Sequence, residues 1–444
     1  MKVFLLQAYL GRREAPIFPL GLAYIAASLS RHEVKAFDPN VAADPYHDLV
    51  MQIEEFDPEV IGISFRNIDT TQYGDPYYYF KTLKPTLELL RKLRPRVPLV
   101  IGGPAFSIFA DQIMARHPEI DLGVYLDGEE SFPELLEHLD SPERVKGVYY
   151  RQNGAIHFTG ERPATDFIWS LKPRWDLFEL SKYDGPESIG VLSRRGCSLK
   201  CIYCVYPFLT GTVQKLRPPA GVVDEIEELV HRWGVKQFVF ADSVFALPKH
   251  HAAAICREII RRGVKVNWGA FFNERLADRE FLQLAKDAGC VSYDFSSDGF
   301  NDRSLQLLRK PFTFADVWRT YQLAQTFQGV QMKFFFFANP PGQTVASYLH
   351  LMWLFFKTKF SRQQPKPVQV FVNVPRLMPN TELYAIALAE GSIAPEADLL
   401  PDTETVPLSL FYHNPQVPFV DVTFDLLHRI KTGLKKLIPN LRFS

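Results

Sequence analysis

Three thiols stand close together in the run VLSRRGCSLKCIYCVY (residues 191–206): Cys197, Cys201 and Cys204, out of five cysteines in the whole chain. Thiolates at such short spacing suit a soft metal centre. With no histidine nearby, they fall one ligand short of a closed structural zinc site. They suit an iron–sulfur cubane held at three irons, with the fourth iron left open. Their gaps are not those of the ferredoxin runs, so an electron carrier is a poor reading. A zinc knuckle or plain buried thiols is the competing reading of the spacing by itself.

The rest of the chain must position that loop. Apolar runs at residues 3–8, 34–37, 60–64, 99–102 and 122–126 alternate with amphipathic stretches. Five βα units in this length predict a doubly wound, Rossmann-like parallel sheet over residues 1–145. Ligands of such sheets lie beyond the carboxyl ends of the strands. There stand Asp38 and Asn40, then Ser64, Arg66 and Asn67, then Gly102, Gly103 and Ser107, and finally Gly128 and Glu129. No G-x-G-x-x-G follows the first strand, which disfavours a nicotinamide or flavin. The paired glycines allow a large ligand to approach the backbone closely.

Residues 146–190 read as a linker that opens with a hairpin turning at Asn153-Gly154, with Trp175 and Phe178 as packing anchors. βα units resume over residues 191–394, and six of them predict a partial (β/α)6 barrel. Barrel chemistry belongs at the carboxyl ends of the strands, where Asp242 and the run Ser296, Ser297, Asp298 fall near the cysteine loop. In the run Phe334 to Phe337, alternate residues must face the helices. Residues 395–444 form a small C-terminal cap, with Tyr412, His413 and Asn414 as candidate substrate contacts. Its basic helix over residues 424–437 presents Lys431, Lys435 and Lys436 as a solvated face.

Composition narrows the partners. Lys+Arg and Asp+Glu are equal at 50 each, which argues against a nucleic acid and gives no electrostatic case for an anionic membrane. The apolar stretch 348–360 is too short to span a bilayer and carries His350 and Lys357. A cytoplasmic protein of more than one domain, with reduced thiols, is expected.

Arg195-Gly196 followed by C-x3-C-x2-C, with Tyr203 before the last thiol, resembles the radical S-adenosylmethionine (SAM) enzymes. FADSVF, YDFSSDGF, FANPPGQT and PRLMPNTELYAIALAEG resemble later segments of that family. Gln343 stands where relatives have Glu, Asn380 where they have Gly, and the usual Glu before Ser is absent. PLGLAYIAASL, FDPN, VIGGPAFS and DGEESFPELL resemble the cobalamin-binding domain that precedes many such cores. There is no D-x-H-x-x-G to ligate cobalt from below. The loop Phe65-Arg66-Asn67-Ile68-Asp69 resembles that of the family's thiostrepton-pathway tryptophan methyltransferase, in which an arginine sits under the cobalt. Arg66 could alternatively pair with Asp69 at the surface.

The resemblance implies a 4Fe-4S cluster on the three cysteines, S-adenosyl-L-methionine on its open iron, and cobalamin on residues 1–145. It places Tyr203 beside the adenine and gives Arg66 a catalytic role. It implies a methyltransferase acting on an unactivated carbon of a small-molecule substrate through methylcobalamin and a 5′-deoxyadenosyl radical. An electron donor such as flavodoxin or ferredoxin and a monomeric chain are expected. The alternatives are a cyclase or oxidative rearrangement without methyl transfer, and a radical SAM enzyme whose first domain is degenerate.

Overall fold

Nearly every residue of the first strand, β1 (Lys2–Gln7), is buried, so both faces of its sheet need covering, as in other parallel sheets. The computed structural model describes all residues except 12–14, 164, 166, 362–366 and 438–444, and omits the side chains of 428–437. β2 (Glu33–Phe37), β3 (Val60–Ser64), β4 (Leu99–Gly102) and β5 (Leu122–Val124) join β1 in the parallel order β2-β1-β3-β4-β5. Val3 and Leu5 enter one core, Phe4 and Leu6 the other. The strand order reverses between β1 and β3, which opens a crevice at their carboxyl ends.

The hairpin expected in the linker belongs to this sheet. β6 (Val148–Gln152) pairs antiparallel with β5, and β7 (Ala155–Phe158) with β6. Asn153 and Gly154 turn it with positive φ, and it covers what would be a bare edge at β5. The strap that follows is pinned by aromatic rings. Phe18 lies 4.6 Å from Trp175, 5.2 Å from Phe178 and 5.4 Å from Tyr183.

The second sheet begins with β8 (Gly190–Val191). A small antiparallel ribbon, β9 (Arg194–Arg195) with β10 (Lys215–Leu216), interrupts the chain. Then come β11 (Gln237–Phe240), β12 (Asn267–Phe272), β13 (Cys290–Asp298), β14 (Gln331–Phe337) and β15 (Val368–Asn373). β8, β11, β12, β13, β14 and β15 lie parallel in that order, an open partial barrel. β13 runs past the loop that the sequence suggests. Ser296 pairs with Phe335 and Asp298 with Phe336 across a bulge, so Ser296, Ser297 and Asp298 are strand residues. Lys333 Nζ reaches Glu187 at 2.8 Å and Asp294 at 3.6 Å, tying β13 and β14 to the segment that leads into β8.

The C-terminal segment packs against both units. Leu399, Leu400, Leu410 and Phe411 share a core with Phe4, Ile61, Tyr73 and Tyr78 of the first sheet and its loops. Arg376, just after β15, makes a buried ion pair with Asp69 at 3.1 Å. Helix Pro418–Leu437 ends the described chain; Lys431, Lys435 and Lys436 lie outside the described side chains. Among the described residues no helix is long and apolar enough to cross a membrane.

Phe18→Ala empties the site where three strap rings meet. It should lower stability by about 3–5 kcal/mol, read as a drop in the denaturation midpoint. A change below about 1 kcal/mol would show that the strap is held elsewhere.

Candidate active site

The β9–β10 ribbon closes an excursion that carries all three cysteines. Gly196 opens it with φ +86°, and a Cβ there would collide with the carbonyl of Val213, so only glycine fits. Cys197 N donates to Gly211 O at 3.0 Å. The root of the loop is fixed by Arg194, which is buried and donates to Gly196 O at 2.7 Å, Val244 O at 2.6 Å and Ser243 Oγ at 3.0 Å. Asp242 accepts from Ser193 N at 2.9 Å, from Arg194 N at 3.2 Å and from the Ser193 hydroxyl. It therefore braces the strand end, and neither caps a helix nor lines the cleft described below. On the other side, Ile202 donates to Leu308 O at 3.4 Å and accepts from Leu383 N at 2.8 Å.

All three thiols are free. Burial pushes Cys201 up, and Cys204 up to about 12, and in both cases the neighbouring cysteines add to the effect. Among the described residues no three His, Cys, Asp or Glu side chains crowd closely enough for a single metal ion. A cubane takes one thiolate per iron and needs them further apart. The donor set of three soft sulfurs fits it.

Behind the loop, Tyr203 Oη donates to Asp298 Oδ2 at 2.5 Å, and Lys310 Nζ donates to the same oxygen at 2.6 Å. Ser297 Oγ donates to Glu274 Oε1 at 2.6 Å. Burial pushes Glu274 up to about 7, although Lys310 and the Ser297 bond pull it down. Ser296 is half-buried in the same strand segment. The sequence alone does not single out Lys310 or Glu274. Glu274 follows β12 directly, so the rule about strand ends could have found it; nothing local marks Lys310. Phe335 stacks on Phe371 at 5.1 Å and lies 6.0 Å from Phe271, while Phe334 and Phe336 are buried in the core, as the alternation predicts.

A cleft of about 710 Å³ opens beyond β3, β4 and β5. Ser64, Arg66, Asn67, Gly102, Gly103, Ser107, Gly128 and Glu129 line it, and so do Tyr206, Leu209 and Thr210 of the helix Tyr206–Thr210. That helix starts two residues after Cys204, so the cleft and the cysteine loop share a wall. Gly103 has φ +98°, and a Cβ there would lie 2.7 Å from Phe65 O. Ser107 Oγ accepts from Leu126 N at 2.9 Å and donates to Gly103 O at 3.1 Å. Glu129 is buried and pairs with Arg195 at 2.8 Å; Asp127 pairs with the same guanidinium at 3.1 Å. Burial disfavours the charge on Arg195, but these carboxylates outweigh it and raise its pKa.

Other expected site residues lie elsewhere. Asp38 accepts from Asn40 N at 2.9 Å, from its side chain at 2.7 Å and from Tyr183 Oη at 2.8 Å. Asn40 also accepts from Leu10 N at 2.8 Å and donates to Ala8 O at 3.1 Å. Both residues fix the loops after β1 and β2 to the strap and do not line the cleft. Asp69, the alternative partner for Arg66, is buried against Arg376 and accepts from Thr71 N at 2.7 Å. Tyr412 is buried and donates to Glu390 at 2.7 Å. His413 Nδ1 lies 3.7 Å from Asp421, and Asn414 donates to Pro340 O at 2.9 Å. Tyr412 and Asn414 tie the cap to the preceding barrel segment, His413 pairs within the cap, and none of the three lines the cleft or the thiol loop.

Residues 6–136 match the B12 binding domain family, and residues 191–352 match the Radical SAM superfamily. The chain is a radical SAM protein with a B12-binding domain. The first domain takes cobalamin; the radical SAM domain takes a 4Fe-4S cluster and SAM. An uncharacterised methyltransferase of Pyrococcus horikoshii is 28% identical over 66% of this chain and 64% of its own length. The anaerobic magnesium-protoporphyrin IX monomethyl ester cyclase of Cereibacter sphaeroides is 26% identical over 67% of this chain and 50% of its own. The match thus spans less than two thirds of each of these relatives. The radical SAM methyltransferase TsrM of Kitasatospora setae, solved with tryptophan and a SAM analogue, superposes with a TM-score of 0.74. It is 22% identical, over 89% of this chain and 79% of its own, and shows the same fold.

The cleft fits cobalamin on its own terms. Its floor includes the backbone of Gly102 and Gly103, where a side chain on Gly103 would collide with Phe65 and shift that floor, and no histidine lines it among the described residues. Gly103→Ala should weaken cobalamin uptake about tenfold or more while leaving iron content unchanged. Unchanged uptake in a spectroscopic titration would show that the corrinoid does not use this floor.

Asp294, inside the barrel, is pushed up to about 6 by burial, against the pull of Lys333. Between pH 3.8 and 6 the unfolded chain has released a proton that the folded chain keeps, so this group costs stability as pH rises. The loss reaches about 3 kcal/mol by pH 6 and stays constant above it. Asp294→Asn should abolish that decline. Parallel stability–pH curves for native and variant chains over this window would refute the assignment.

Proposed function

We propose that the chain is a cobalamin-dependent radical SAM methyltransferase that methylates an unactivated carbon of a small molecule. The observation that carries this reading is the wall shared by the cysteine loop and the cleft. It sets the two cofactor sites side by side, as delivery of a methyl group to a radical requires. The methyltransferases among its relatives support it.

Cys197, Cys201 and Cys204 are the cluster ligands in this reading, and the fourth iron is left to SAM. When bound, the cluster and SAM supply the radical that opens a C–H bond, and cobalamin supplies the methyl transfer. Arg66 lines the cleft, and its guanidinium, which offers no lone pair, would not ligate a bound cobalt. Asn67, Ser64 and Ser107 offer hydrogen bonds around it. Tyr203 and Ser296 would contact SAM, whereas Ser297 is fully buried and bonded to Glu274. Phe271, Phe335 and Phe371 form an apolar patch in the barrel against which a carbon substrate would pack. Flavodoxin or ferredoxin supplies electrons to a monomeric, cytoplasmic enzyme. The cyclase relative favours a second reading, in which the same cofactors oxidise a substrate without methylating it.

The two readings part in one experiment. The reconstituted chain is incubated anaerobically with deuterated-methyl SAM and a small-molecule extract of the source cells. A product carrying the label is expected. Release of 5′-deoxyadenosine with altered but unlabelled product would replace this reading with the second.

A further inference from the structure

Lys310 is a charged side chain in an unusual place. Its side chain is 4% exposed, and that of its partner Asp298 is 5% exposed. Arg309, at φ +56°, ends the helix Asp302–Leu307, and Lys310 N bonds back to Leu305 O at 2.9 Å. The backbone two residues before it is bonded to Ile202 inside the cysteine loop. The ammonium sits 5.9 Å from the Tyr203 ring and 5.3 Å from that of Phe312, which seal it from solvent. Asp298 Oδ2 receives both Lys310 and Tyr203, and Tyr203 lies between two of the cysteines.

A buried ion pair adds little net stability compared with an apolar filling of the same space, so stability alone does not account for it. Both charges stand beside the cysteine loop: Asp298 holds Tyr203, which lies between Cys201 and Cys204, and Leu308, two residues before Lys310, is bonded to Ile202. In a dry site the influence of such charges is only weakly screened. Reduction potentials of iron–sulfur clusters respond to nearby charge, hydrogen bonding and solvent exposure.

We propose that Lys310 and Asp298, linked to the cysteine loop through Tyr203, are positioning residues whose opposed charges set the reduction potential of the cluster. Lys310 eases the arrival of an electron and Asp298 opposes it. Tyr203 fixes the carboxylate between them.

The inference rests on the cluster assignment but not on methyl transfer. Iron content of the native chain is therefore measured first: absence of a cluster there sinks the assignment itself. The test is a redox titration of the cluster-loaded full chain, followed by electron paramagnetic resonance before SAM is added. Lys310→Met should lower the midpoint potential and Asp298→Asn should raise it. The double variant should return close to the native value, and Lys310→Arg should stay there. A purely structural role predicts something else: both single variants shift the same way through solvent entry, or neither shifts at native iron content. Either result overturns the proposal. If Lys310→Met fails to assemble a cluster, Asp298→Asn and the double variant decide: anything other than a rise followed by a return refutes it.

Discussion

Two carboxylates from the rim of the first sheet meet a single guanidinium from the β9–β10 ribbon. Arg195, at the root of the cysteine loop, is held by Asp127 and Glu129 at the start of the helix Gly128–Glu137. A buried arginine without partners would carry a large desolvation cost, so the ribbon and the cleft rim stay together. The residue after Arg195 is Gly196, and the next is Cys197. The position of the first thiol is thus referenced to the first sheet by one guanidinium and its two ion pairs. Everything proposed about two adjacent cofactors depends on that registration.

The second tie lies on the opposite side. Arg376 and Asp69 pair in the core, and Asn373 accepts from Tyr73 N at 3.0 Å and donates to Thr71 O at 3.0 Å. The loop that presents Arg66 is therefore shaped by the last barrel strand as much as by β3. The C-terminal segment completes it, with Phe411 5.2 Å from Tyr73. A region that reads as a substrate cap is also a scaffold for the cobalamin loop.

The parallel strands were legible because their apolar runs and punctuation are strong, and both sheets follow from them. The thiols were legible because three cysteines at short spacing have few uses besides holding a metal centre. Gly103 lines the cleft at a strand end, but the close backbone approach there is to Phe65. What stayed hidden depends on partners distant in sequence. Asp38 and Asn40 stand at a strand end, yet their hydrogen bonds go to neighbouring loops and to Tyr183. Glu129 reads as a ligand-facing acid until Arg195 is brought to it from across the chain. Ser296 to Asp298 read as a loop because polar residues seldom extend a buried strand; pairing with β14 overrides that preference. Lys310 has no local signature, because its role comes from the side chains folded around it.

The helix Tyr206–Thr210 is five residues long, and its Phe208 lies 6.1 Å from Tyr125, just after β5. A helix this short has little stability of its own, so its order comes from what it touches. One end begins just after a cluster ligand and its flank faces the corrinoid cleft. Whatever ordering free energy one cofactor contributes to it, the other no longer has to contribute. By thermodynamic reciprocity the dependence runs both ways. Under the proposed assignment of the two sites, their loading would be a single linked equilibrium, with this short segment as its joint.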